Sequence, residues 1–99
     1  MGLFSKPKVY DLSPMSDEQI GFLILFFRNG WAKEARRRLN RQTLFDARMD
    51  KEIVKSLQKK YLLKDEMDVV LELLNADLYF HPDDKDEKKL ISALKRCIK

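Results

Sequence analysis

Eight consecutive uncharged residues, Ile20 to Phe27, lead into a short segment carrying Lys33, Arg36, Arg37, Arg38 and Arg41 against one acid, Glu34. Wound as a helix, Phe22, Leu23, Ile24, Leu25, Phe26 and Phe27 cover every direction around the axis, so such a helix must be enclosed by other elements. The same run could also form a buried strand, with Asn29-Gly30 as a hairpin turn. The residues that follow decide against it, because Trp31 to Arg41 is rich in Ala, Arg, Lys and Glu, a poor composition for a return strand. Ser16, followed three places later by Gln19, has the pattern of a capping box. Asn29-Gly30 supplies the left-handed residue that closes a helix, and Trp31 can fold back onto its last turn. The first helix is therefore expected over residues 17–28.

The second helix should run from Trp31 to Arg41. Trp31, Ala35 and Leu39 form a narrow apolar stripe, with Lys33, Arg36, Arg37 and Arg41 spread over the opposite side. Thr43, with Asp46 three residues on, restarts the chain. Met49, Ile53, Val54, Leu57 and Tyr61 then share one face, and Lys51, Lys55 and Lys59 form a row on the other. Leu62 to Lys64 reads as a short connection and Asp65 as the cap of a fourth helix. That helix has apolar sides both at Met67, Val70, Leu71, Leu74 and Leu78 and at Val69, Leu73 and Ala76. Pro82 suggests that Leu78 to Phe80 is extended. Asp83 and Asp84 start a last helix with its apolar arc at Leu90, Ile91, Ala93, Leu94, Cys97 and Ile98. The pattern predicts an all-α fold, a small single-domain bundle of four to five helices, with the first and fourth inside and the others more peripheral. Residues 1–13 are expected to be an N-terminal arm, extended over the domain or disordered, and residues 14–99 the helical domain.

Ninety-nine residues at 44% hydrophobic composition can hold one core without disulfides or metals. Cys97 is the only cysteine, which excludes an internal disulfide and favours a reducing, cytoplasmic setting. The apolar run is far short of the roughly 20 residues that cross a bilayer and lies behind Asp17 and Glu18, so neither a membrane span nor a signal peptide is expected. Gly2 would suit myristoylation, but position 6 is Lys rather than a hydroxyl residue.

Positive charge is local: residues 1–42 hold eight Lys and Arg against four acids, whereas residues 43–99 hold twelve of each. The basic side of the second helix is the expected functional feature, able to neutralise carboxylates or phosphates while the other face holds the core. Trp31, Lys33, Arg36, Arg37 and Arg41 are the candidate partner-binding residues. Single-strand binders interleave aromatics with cations, whereas Trp31 lies away from the arginines. A helix-turn-helix reading fails because residues 65–77 carry five acids and no cation, which phosphate would repel. His81 and Cys97 are too few for a zinc site, no glycine punctuates the acids after Pro82 as a calcium loop requires, and no nucleophile motif occurs. Asp83, Asp84, Asp86 and Glu87 instead complement a helix dipole. The sequence thus points to a non-enzymatic regulatory or adaptor protein without cofactor or metal, binding a protein partner with an acidic surface. RNA or DNA binding through the same cations is the alternative, and self-association as a homodimer a further expectation.

Overall fold

In a computed structural model, which describes residues 8–39 and 46–98, the chain is an all-α domain with one small antiparallel sheet. The order is β1 (Val9–Asp11), α1 (Asp17–Arg28), α2 (Trp31–Arg38), α3 (Asp46–Gln58), β2 (Tyr61–Leu63), α4 (Lys64–Phe80) and α5 (Lys85–Ile98). Among the described residues no helix is long and apolar enough to cross a membrane.

Helix α1 starts at the expected box: Gln19 N–H donates to Ser16 Oγ at 3.1 Å, and Ser16 N–H donates to Gln19 Oε1 at 3.0 Å. Two otherwise orphaned amides are satisfied there, so Ser16→Ala should cost about 1 kcal/mol in urea unfolding. The helix ends at Asn29, and Gly30, at φ 83°, turns the chain at once into α2. Ile20, Leu23, Phe26 and Phe27 are buried, but Leu25 is 50% exposed, so enclosure on every side does not occur. α1 packs mainly on α2 and α3, while α4 packs chiefly on α2, α5 and both strands.

The buried face of α2 is Ala32, Ala35 and Arg36; of the expected stripe, Ala35 is buried and Leu39 packs against the core, but Trp31 does not. Small side chains at 32 and 35 let α2 approach α1 and α4, and this rotates Trp31 outward until it is 47% exposed. Its ring lies back on α1, with centroids 5.9 Å from Phe22 and 6.4 Å from Phe26. Thr43, the proposed restart of the chain, lies outside the described residues. Ile53 and Leu57 of α3 are fully buried, with Met49 and Val54 packed beside them.

Tyr61 does not continue the apolar face of α3, and Leu62 is more than a connection. Lys60, in the left-handed region at φ 61°, stops α3 and turns the chain into β2. Antiparallel pairing sets Val9 opposite Leu63, Tyr10 opposite Leu62 and Asp11 opposite Tyr61. The described part of the expected arm is therefore extended and contributes to the core, since Tyr10 and Leu12 are buried with Leu62. An ion pair of 2.9 Å between Lys60 and Asp17 ties this turn to the start of α1.

Helix α4 begins one residue before Asp65. Leu63 takes the cap position, and the Glu66 carboxylate accepts its N–H at 3.0 Å. Leu78 to Phe80 are helical, not extended: proline restricts only the residue directly before it, so the helix runs on to His81. Asp84 then opens α5 by accepting the Glu87 N–H at 3.0 Å, and Leu90, Ile91 and Leu94 seal α5 onto the core.

Candidate functional site

A groove of about 530 Å³ opens where the end of α1, the first turn of α2 and the outer flank of α3 converge. Phe27 and Val54 form its apolar floor, and Arg28, Lys33, Lys51 and Lys55 stand around it. Each position has a local cause. Arg28 closes α1, and the Gly30 turn brings Lys33 beside it within one helical turn. Lys51, Val54 and Lys55 stand at i, i+3 and i+4 on α3, so they share a strip while Ile53 and Leu57 face the core. Among the described residues Arg28, Lys33 and Lys51 have no ion-pair partner, and Lys55 has only an exposed contact to Glu52 at 3.7 Å.

Asp50 also lines the groove, but its charge is already taken. Arg36 holds it with two parallel bonds, Nη1 to Oδ2 at 2.8 Å and Nη2 to Oδ1 at 2.6 Å. The two side chains are only 9% and 16% exposed. With that carboxylate neutralised from behind, the four surrounding cations set the sign of the cleft.

This geometry revises the sequence-based contact set. Of the five residues singled out, Lys33 lines the groove. Arg36 is not an open contact residue: it is buried and committed to Asp50, because the small Ala32 and Ala35 turn that face of α2 inward. Arg37 remains 75% exposed but points elsewhere, its Nε donating to Glu34 at 3.1 Å. That bond holds the Glu34 carboxyl below its ordinary value and raises Arg37. Trp31 packs on Phe22 and Phe26 outside the groove, and Arg41 lies outside the described residues. Arg28 was not picked out, because a single Arg before Asn-Gly carries no signal. Lys51 and Lys55 were visible as a row, but only the fold joins them to Lys33.

A second departure concerns the acids after Pro82. Asp84 caps α5 as expected, whereas Glu87 is not a surface complement to the dipole. It is 1% exposed, and its Oε1 is without a hydrogen-bond partner among the described residues. Burial first, then the neighbouring Asp77 of α4 and Asp84, push its pKa up to about 8. Cys97 is half-buried, and its thiol is raised by burial and then by Asp11. Among the described residues no cluster of His, Cys, Asp and Glu is arranged to hold a metal ion.

The fold and site together define a small all-α domain with a cationic, apolar-floored groove. Comparison of the chain with protein-family models, with curated proteins and with solved structures returns no match.

Proposed function

We propose that this chain is a non-enzymatic adaptor or regulatory protein that holds an acidic protein partner at the groove between α1, α2 and α3. The observation that carries the reading is the convergence of Arg28, Lys33, Lys51 and Lys55, from three helices, around a cleft in which the one carboxylate among the described residues, Asp50, is neutralised by Arg36. Charges gathered in a concavity attract an anionic partner more strongly than the same charges scattered over a surface. Nucleic acid is the weaker fit, because among the described residues the groove has no open aromatic ring for a base to stack on: Phe27 is buried and Trp31 packs on Phe22 and Phe26. A lone cysteine agrees with a reducing, cytoplasmic setting.

Fluorescence anisotropy with labelled poly-glutamate, mixed-sequence DNA duplex and single-stranded RNA tests this. Poly-glutamate should bind at low salt and lose about tenfold or more in affinity in K33A/K51A/K55A, whereas R37A should leave it unchanged. Preferential binding of the duplex, falling roughly 100-fold between 50 and 200 mM salt, would instead assign the groove to nucleic acid.

A further inference from the structure

We infer that the groove takes a short acidic segment of a protein partner, one that seats a single large apolar side chain between the cations on Phe27 and Val54. The inference rests on the reading of the groove as an acidic-partner site and adds what such a partner must carry.

Three observations support it. Charge complementarity comes first: Arg28 and Lys33 stand at one end of the cleft, Lys51 and Lys55 along its α3 wall, and the acid among them is occupied by Arg36. An occupant with carboxylates on both sides of its centre would meet cations in both directions. The floor itself is apolar, since Val54 lies beside Lys51 and Lys55 around α3 and Phe27 lines the cleft with it. A purely ionic ligand would leave the half-buried Val54 wet, while a Leu or Phe side chain would cover it against the edge of Phe27. Size is the third observation. A volume of about 530 Å³ lined by eight residues matches a pocket for one side chain and its neighbours. A folded surface would engage about 20–30 residues a side.

The pairing has a clear division of labour. Lysines are flexible point charges that accept carboxylates in many geometries, so they supply attraction and rate of encounter. The apolar floor distinguishes one acidic segment from another, because burying a Leu side chain gives a preference that charge alone cannot.

The test uses the whole chain and three labelled twelve-residue peptides: Glu/Asp-rich with a central Leu, the same with a central Ser, and the Leu peptide with every acid changed to its amide. The acidic Leu peptide should bind at least about tenfold tighter than the acidic Ser peptide, and the amide peptide should not bind measurably. Val54→Ser should remove the Leu advantage, bringing the Leu peptide to the affinity of the Ser peptide on the same variant, with circular dichroism confirming that the variant is folded. K51A/K55A, on the exposed side of α3, should weaken both acidic peptides together. Equal affinity for the Leu and Ser peptides overturns this inference and leaves the acidic-partner reading intact. No binding of either acidic peptide, or binding indifferent to K51A/K55A, overturns that reading and the inference with it. Displacement of the Leu peptide by single-stranded RNA at lower concentration than by unlabelled peptide also overturns it.

Discussion

Replacing Arg36 with alanine should destabilise the domain by about 3–5 kcal/mol, whereas Arg37→Ala, one residue further on, should change stability by less than about 0.5 kcal/mol. The contrast follows from burial. Arg36 is almost wholly removed from water, Asp50 is largely so at the edge of the groove, and the two are bonded through two parallel N–H to carboxylate contacts, so losing Arg36 strands the Asp50 charge. Arg37 sits in solvent with Glu34, where an ion pair contributes little. The midpoint of urea unfolding at unchanged m-value reports the difference. The double variant Arg36→Met, Asp50→Leu should recover most of the loss, since apolar side chains of similar volume often replace a buried pair without penalty. An Arg36→Ala midpoint as close to wild type as that of Arg37→Ala would show that the pair does not hold α2 to α3. The same change should also weaken poly-glutamate binding, because it frees a carboxylate in the wall of the groove.

The second large effect is a loss of stability as pH rises. Glu87, with its folded pKa raised to about 8, keeps a proton in the native state that the unfolded chain releases near the ordinary glutamate value of about 4.5. The contribution is fully present below that unfolded value. It falls at about 1.4 kcal/mol per pH unit through the window between the two and is lost above the folded pKa. Burial is the main cause, and the acids that face Glu87, Asp77 from α4 and Asp84 from the cap, act in the same sense.

At the acid end other groups act oppositely. Asp11, Asp17 and Glu34 are held below their ordinary values by hydrogen bonds from Ser13, Lys60 and Arg37. What they contribute is present above the unfolded carboxylate range and disappears as pH falls through their lowered values. Stability should therefore peak near pH 5 and decline by a few kcal/mol toward pH 8.5. Glu87→Gln, which mimics the protonated acid, should match wild type at pH 5 and exceed it at pH 8.5. Identical pH slopes for the two proteins in urea unfolding would rule out Glu87 as the cause. Hydrogen exchange should locate the alkaline loosening where α5 joins α4.

What could be read from the amino acids alone was whatever depends on near neighbours along the chain. Ser16 and Gln19 are three residues apart, so their reciprocal bonds need no tertiary partner, and α1 runs over the residues they and Asn29-Gly30 delimit. The apolar spacing of α3, α4 and α5 likewise identified Ile53, Leu57, Val70, Leu74, Leu90 and Leu94 as core. The extent of α4 is not legible in this way, because Pro82 restricts His81 alone and leaves Leu78 to Phe80 free to stay helical.

Tertiary structure decided the rest, for one physical reason: the deciding partners lie far apart in sequence. Val9–Asp11 and Tyr61–Leu63 are too short to signal strands, and each becomes one only when the other supplies its hydrogen bonds. Arg36 looks like any arginine on a basic helix until Ala32 and Ala35 let α2 sink and Asp50 receives it. Glu87 looks like a dipole-matching acid until α4 closes over it. Composition placed positive charge in the first part of the chain, but only the packing of α1, α2 and α3 gathers Arg28, Lys33, Lys51 and Lys55 around one cleft.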